Sequence, residues 1–152
     1  MDSVISQAFA NESPKSVFEI GCGSGTFLKQ LQDKYKGLRV GGVDISAESA
    51  FDVGNIKDYV SDKKWDIAFS KGTLILIPPS EIEAAIESIR RLSKRVIFIE
   101  LASDGLHSMV GNYHAYDYRF LLQGFKTVSI SDVFADWPSS RLQGSIIKAD
   151  VL

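Results

Sequence analysis

The sequence predicts a doubly wound α/β domain, a mostly parallel sheet of about six or seven strands with helices on both faces. Two observations predict it. Strand-like and helix-like patterns alternate from Lys15 onward, and the first strand runs straight into a glycine-rich turn that opens a helix. The length supports one domain over 1–152, because 152 residues can bury a core without disulfides or a metal.

Ser16–Ile20 (SVFEI) is β-branched and aromatic and ends in glycines, as a buried first strand does. From Thr26 to Tyr35, Phe27, Leu28 and Leu31 form an apolar stripe among Lys and Gln, which predicts a helix stopped by Gly37. Leu38–Ile45 predicts a second strand and Trp65–Phe69 another. Pro78 and Pro79 open a helix running to about Leu92, with Ile82, Ala85, Ile86 and Ile89 on its apolar face. Arg95–Ile99 is a further buried strand. Ala115–Gln123 is expected to be helical up to Gly124, and Lys126–Ile130 and Leu142–Ala149 to be the last strands.

Composition narrows the function. Hydrophobic residues make up 45% and charged residues 24%, an ordinary globular balance. Seventeen Lys and Arg against 19 acids leave a net charge of −2, too balanced for a protein that grips a phosphate backbone, so no nucleic-acid partner is expected. One cysteine and two histidines exclude a disulfide framework and a four-ligand zinc site from this chain alone, and no metal is expected. The most apolar runs, Leu74–Ile77 and Val96–Ile99, fall far short of the ~20 residues of a membrane helix. Met1 to Pro14 lacks the features of a signal peptide, so no membrane association and a cytoplasmic location are expected.

The informative stretch is Glu19-Ile-Gly21-Cys22-Gly23-Ser-Gly25-Thr26. Glycines at alternate positions permit positive φ and let a ligand touch the backbone. A phosphate-binding loop would need a lysine directly after the glycines, and the first is Lys29. A dinucleotide fingerprint would place its third glycine at Thr26, one residue late. Downstream, Asp44 ends the second strand, where a carboxylate can accept two hydrogen bonds from a ribose diol. Capping the following segment is its other possible role.

These residues resemble the acid-x-Gly-x-Gly-x-Gly motif of class I S-adenosylmethionine-dependent methyltransferases. The resemblance covers about Ser16 to Gly124 and implies a Rossmann-like fold with S-adenosylmethionine as cofactor. It implies that the loop of Gly21, Cys22, Gly23 and Gly25 holds the methionine end, and that Glu19 orients it through its amino group. Cys22 is read as a small spacer rather than a nucleophile. Asp44 would take the ribose and Ile45 would pack on the adenine. Gly54-Asn55-Ile56 is similar to the family's Gly-Asp-Ala/Ile segment, so Asn55 would read the adenine amino group and the Ile56 N–H would reach the ring. Asp52 competes with Asn55 for that role. Ser70-Lys-Gly72-Thr-Leu-Ile-Leu-Ile77 looks like the stretch that lines the methyl-transfer site, which puts Ser70 beside the cofactor. That stretch and His114-Ala-Tyr-Asp117-Tyr are similar to small stand-alone methyltransferases of bacterial sugar and surface-polysaccharide pathways, including those associated with pseudaminic acid.

The sequence departs from the family pattern in two places. Asp44 to Trp65 has no room for the usual helix, third strand and second helix, so the sheet is expected to be shortened there. The residues before Val17 are too few for a cap over the cofactor. An open site would then call for a bulky acceptor, such as a glycan or a carrier-bound intermediate, or for a second copy of the chain in a homodimer.

Methyl transfer needs alignment and water exclusion first and a general base second. His107 and His114, after the predicted strand Arg95–Ile99, are the candidate bases, because histidine changes charge near neutral pH. The acceptor would be an oxygen or nitrogen of a small molecule or glycan. Two other readings stay open here: a Rossmann-type NAD(P)-dependent oxidoreductase, and a catalytically silent S-adenosylmethionine-binding or scaffold subunit.

Overall fold

Five strands pair in parallel in the computed structural model, which describes residues 3–105, 107–137 and 140–152. They are Ser16–Ile20 (β1), Arg39–Asp44 (β2), Asp52–Val53 (β3), Trp65–Lys71 (β4) and Ser93–Glu100 (β5). His107–Val110 (β6) and Tyr113–Tyr116 (β7) form a separate hairpin. Two long antiparallel arms, Phe125–Trp137 (β8) and Ser140–Val151 (β9), complete a seven-stranded sheet ordered β3-β2-β1-β4-β5-β9-β8.

Alternation along each strand decides which layer it serves. Val17, Ile67, Phe69, Ile97 and Ile99 face the helices Ser3–Ala8 (α1) and Thr26–Lys34 (α2). Phe18, Ile20, Ala68, Val96 and Phe98 face Pro79–Leu92 (α3). Burying each such side chain contributes roughly 1.5–3 kcal/mol, which is why the doubly covered strands read as continuous apolar runs. On the first face Phe69 locks the layers together, its ring 5.3 Å from Phe9 and 4.4 Å from Phe27.

The shortening after β2 is real. β3 has two residues, and a single 3-10 turn, Ile56–Asp58, occupies the path to β4. The expected helix at Ala115–Gln123 is corrected by the structure. Residues 113–116 are strand β7, and only Tyr118–Leu121 (α4) is helical, capped by Asp117. Gly111, at φ +61°, turns the chain into a hairpin. The residues beyond it then alternate between layers, Ala115 joining the α1 side and Tyr116 the α3 side. The last two strands are also longer than expected and pair out to Trp137 and Ser140. No helix among the described residues is long and apolar enough to cross a membrane.

Candidate active site

The carboxyl ends of β1, β2 and β4 surround a cavity of about 430 Å³ whose walls include Gly21, Asp44, Ile45, Asn55, Ile56 and Thr73. Open α/β sheets place ligands at this edge. The floor is the glycine turn, in which Gly21, Gly23 and Gly25 all have positive φ, at 73°, 48° and 72°. Gly21 also has no space for a side chain. A Cβ there would lie 2.0 Å from Thr73 Oγ1. At Gly23 nothing lies within 4 Å of a Cβ, so that stretch of backbone is open to a ligand.

Asp44 holds the turn from the neighbouring strand. Its Oδ2 accepts from the Gly23 N–H at 2.9 Å and its Oδ1 from the Ser46 N–H at 2.9 Å. An ionised carboxylate has about four acceptor positions, so two stay available for hydroxyl donors. Glu19 is buried beneath the turn, and its Oε2 has no hydrogen-bond partner among the described residues. Burial, reinforced by the Asp44 charge, pushes its carboxyl up to about 8. A buried carboxyl with one unpartnered oxygen, beside a second acid, favours a cationic donor such as an ammonium.

Ile45 is 79% exposed and Leu76 62%, and both border the cavity, so a flat apolar ring would find cover there. Ile56 is buried in the wall. Asn55 caps the 3-10 turn, its Oδ1 accepting from the Lys57 N–H at 3.1 Å. Glu81, also on the wall, is ion-paired with Lys57 at 2.8 Å.

Five of the residues singled out in the sequence thus line one cavity: Gly21, Asp44, Ile45, Asn55 and Ile56. Glu19, Cys22, Gly23 and Gly25 build the turn around it. Cys22 is a packing residue: its Sγ lies 3.4 Å from Ser49 Oγ, burial pushes its thiol up, and it fills the space beside Gly42. The Ser70 side chain points into the core, where its hydroxyl donates to Glu100 Oε1 at 2.5 Å. His107 and His114 lie outside the cavity lining, on the β6–β7 hairpin. His107 Nε2 is 2.8 Å from His114 Nδ1, so one ring donates to the other, and both rings pack near Tyr116. Asp52 accepts from Tyr59 Oη at 2.5 Å and is not on the wall. Sequence reasoning missed Glu100. Its signal was there, a lone acid closing the apolar run Val96–Ile99.

The profile of the methyltransferase-domain family matches residues 1–147. The chain belongs to that family. Solved methyltransferase structures share its fold across nearly its whole length. The 1,6-didemethyltoxoflavin N1-methyltransferase of Burkholderia thailandensis, solved with 1,6-didemethyltoxoflavin and S-adenosylhomocysteine, superposes with a TM-score of 0.74 at 20% identity, over 98% of this chain and 76% of that one. The magnesium protoporphyrin IX methyltransferase of Synechocystis, with bound S-adenosylmethionine, gives 0.71 at 19%, over 98% and 77%. The N-methyltransferase NodS of Bradyrhizobium japonicum, with S-adenosylhomocysteine, gives 0.69 at 12%, over 97% and 83%. No curated protein sequence matches the chain. This methyltransferase therefore has the Rossmann-like fold of the S-adenosylmethionine-dependent enzymes.

Proposed function

We propose that the chain transfers a methyl group from S-adenosylmethionine to an oxygen or nitrogen of a small-molecule or glycan-type acceptor. The observation that carries the reading is the buried Glu19 carboxyl, whose Oε2 has no partner among the described residues, next to a glycine turn that Asp44 braces. The residues fit the cofactor. Glu19 would meet its ammonium, the turn its methionine backbone, Asp44 its ribose hydroxyls, and Ile45 with Ile56 its adenine. Asn55 is placed on the same wall for the adenine edge. Ser70 would act from behind the wall, through the turn that follows it.

Bound there, S-adenosylmethionine would supply an electrophilic methyl group, the acceptor's lone pair taking the methyl carbon in line as the S–CH3 bond breaks and S-adenosylhomocysteine is left. The chain's own contribution is to orient the donor and to keep water from one side of it. The nicotinamide reading is disfavoured by charge. Among the described residues no lysine or arginine is on the cavity wall to meet a pyrophosphate, while the acid Asp44 is on it. Calorimetry is expected to show binding of S-adenosylhomocysteine and none of NADH; the reverse result would sink the reading. Transfer from methyl-labelled cofactor to an acceptor separates the enzyme from a silent binding subunit.

Asp44→Ala is expected to weaken S-adenosylhomocysteine binding by about 1.5–3 kcal/mol, the worth of hydrogen bonds to a charged group. Unchanged affinity with the fold intact would reduce Asp44 to a brace for the turn. His107 and His114 are proposed to take the acceptor's proton, supported by their place on the hairpin beside the carboxyl edge. Replacing the one that acts as base by Gln is expected to lower turnover roughly 100- to 10,000-fold. Cofactor affinity should hold, since neither lines the cavity. Full turnover in both variants would leave alignment as the whole account.

The sugar-pathway likeness of Ser70–Ile77 and His114–Tyr118 supports a glycan or carrier-bound acceptor, acting in the cytoplasm. The exposed Ile45 and Leu76 support a covering partner, either that acceptor or a second copy of the chain. Light scattering with assays on small free acceptors tests this part. A strict monomer that methylates a small free molecule efficiently would overturn it.

A further inference from the structure

We propose that Glu100 is a positioning residue for the cofactor site: its carboxylate holds the Gly72–Leu76 turn, and through Thr73 that turn sets the shape of the glycine loop. The inference rests on the methyltransferase reading above and extends it to a residue that touches neither cofactor nor acceptor.

Glu100 ends β5 and is completely buried. Its Oε1 accepts from the Ser70 hydroxyl at 2.5 Å, and from the N–H groups of Thr73 and Leu74 at 3.2 Å each. Its Oε2 accepts from the Ile75 N–H at 3.4 Å. Those amides open the 3-10 turn Leu74–Leu76 and have no carbonyl to pair with inside it, and Thr73 provides no side-chain cap. A carboxylate from another strand does the capping. The Gly72 N–H adds a bond to the Ile99 carbonyl at 3.0 Å, so the turn is fastened to two successive residues of β5.

What the turn presents is functional surface. Thr73, Leu76 and Ile77 all wall the cavity. Thr73 is also pressed on the glycine loop, since its Oγ1 stands where a Gly21 side chain would begin. A chain of contacts therefore runs from Glu100 to the Thr73 backbone, from the Thr73 side chain to Gly21, and on to the loop. A serine or aspartate within the turn would cap it at less cost than a buried acid, so economy of folding does not explain the choice.

The groups facing Glu100 are donors or neutral. Ser70 comes from β4 and the three amides from the turn. Tyr118 comes from α4, its phenol pushed up by burial and by Glu100, and Ser145 lies beside it in register on β9. Burial pushes Glu100 itself up to about 7. A proton on Oε2 would turn the acceptor of the Ile75 N–H into a donor and loosen the turn. Glu19 titrates in a neighbouring range, so the informative quantity is the difference between wild type and a Glu100 variant.

The test is the affinity for S-adenosylhomocysteine between pH 6 and 8 in wild type and Glu100→Gln, with folding checked by circular dichroism. The amide mimics the neutral carboxyl in charge and puts a donor against donors. Affinity in the variant is expected to be about tenfold lower at pH 8, with the gap closing toward pH 6. A purely structural role would lower the melting temperature without a gap that depends on pH. A second measurement needs no variant. Hydrogen exchange in wild type, corrected for intrinsic rate, is expected to show the amides of Thr73, Leu74 and Ile75 losing at least tenfold protection from pH 8 to pH 6, with those of the glycine loop following. Equal affinities at every pH, or protection that does not move, overturns the inference. Wild type that binds no S-adenosylhomocysteine at any pH would instead overturn the methyltransferase reading.

Discussion

Gly21→Ala is expected to lose cofactor binding and to destabilise the fold by several kcal/mol. Two separate costs add. At φ +73° an L side chain crowds its own backbone, for roughly 1–2 kcal/mol. The new Cβ would also stand 2.0 Å from Thr73 Oγ1, 2.7 Å from its Cγ2 and 2.8 Å from its Cβ. Rotating the threonine side chain cannot clear all three atoms, so the turn itself must shift, a crowding cost of roughly 1–3 kcal/mol. Urea unfolding and calorimetry with S-adenosylhomocysteine measure the two effects. The double variant Gly21→Ala with Thr73→Ala should recover the part of the crowding due to Thr73 Oγ1 and Cγ2, leaving the Cβ contact at 2.8 Å and the backbone part. A single variant with wild-type stability would show that the Gly21–Thr73 contact is loose.

Glu19→Gln is expected to weaken S-adenosylhomocysteine binding a hundredfold or more while making the free protein more stable in mild alkali. Removing one partner of a buried ion pair costs roughly 3–5 kcal/mol, and the ligand's ammonium would lose its only proposed anionic partner. Stability goes the other way because, among the described residues, burial and the Asp44 charge act on this carboxyl and both disfavour its ionised form. Its folded value of about 8 lies above the ordinary 4.5, so between those limits the folded state holds a proton that the unfolded chain has released. Stability therefore falls as pH rises through that window. Glu100 contributes in the same direction up to about 7. The glutamine variant lacks the Glu19 part, so its melting temperature should match wild type near pH 4.5 and exceed it at pH 9. Binding reverses the preference, and wild type should release close to one proton on taking up the ligand at pH 7. Calorimetry in buffers of different ionisation enthalpy reads that proton, and its absence would remove Glu19 from the site.

The β1 run and the alternate glycines were legible because both are local. β-branched and aromatic residues specify a doubly buried strand, and positive φ selects glycine wherever it occurs. Asp44 stands at a strand end that the local pattern marks, whereas Ile45, Asn55 and Ile56 are singled out only by the resemblance to the methyltransferase motifs; all four line the cavity. The end of β7, Ala115 and Tyr116, reads as helix in the sequence because Ala115–Gln123 contains both a strand end and one helical turn. Which layer Tyr113, Ala115 and Tyr116 enter depends on partners far away in sequence.

The link from Glu100 to the cavity wall depends on the same long-range pairing. Glu100 and Thr73 lie 27 positions apart, and only the pairing of β4 with β5 brings the carboxylate to the turn. The orphaned state of Glu19 is likewise a property of its surroundings, because a partner's absence has no signature in the chain. The sequence by itself determined the fold class, the glycine turn and the acids that flank it, through propensities and spacings that act within a few residues. Only the tertiary structure decided which polar groups are buried without partners, which turn leans on the glycine loop, and that the two histidines bond to each other outside the cavity lining. Those outcomes depend on desolvation and long-range packing, which are fixed only when strands distant in sequence are brought side by side.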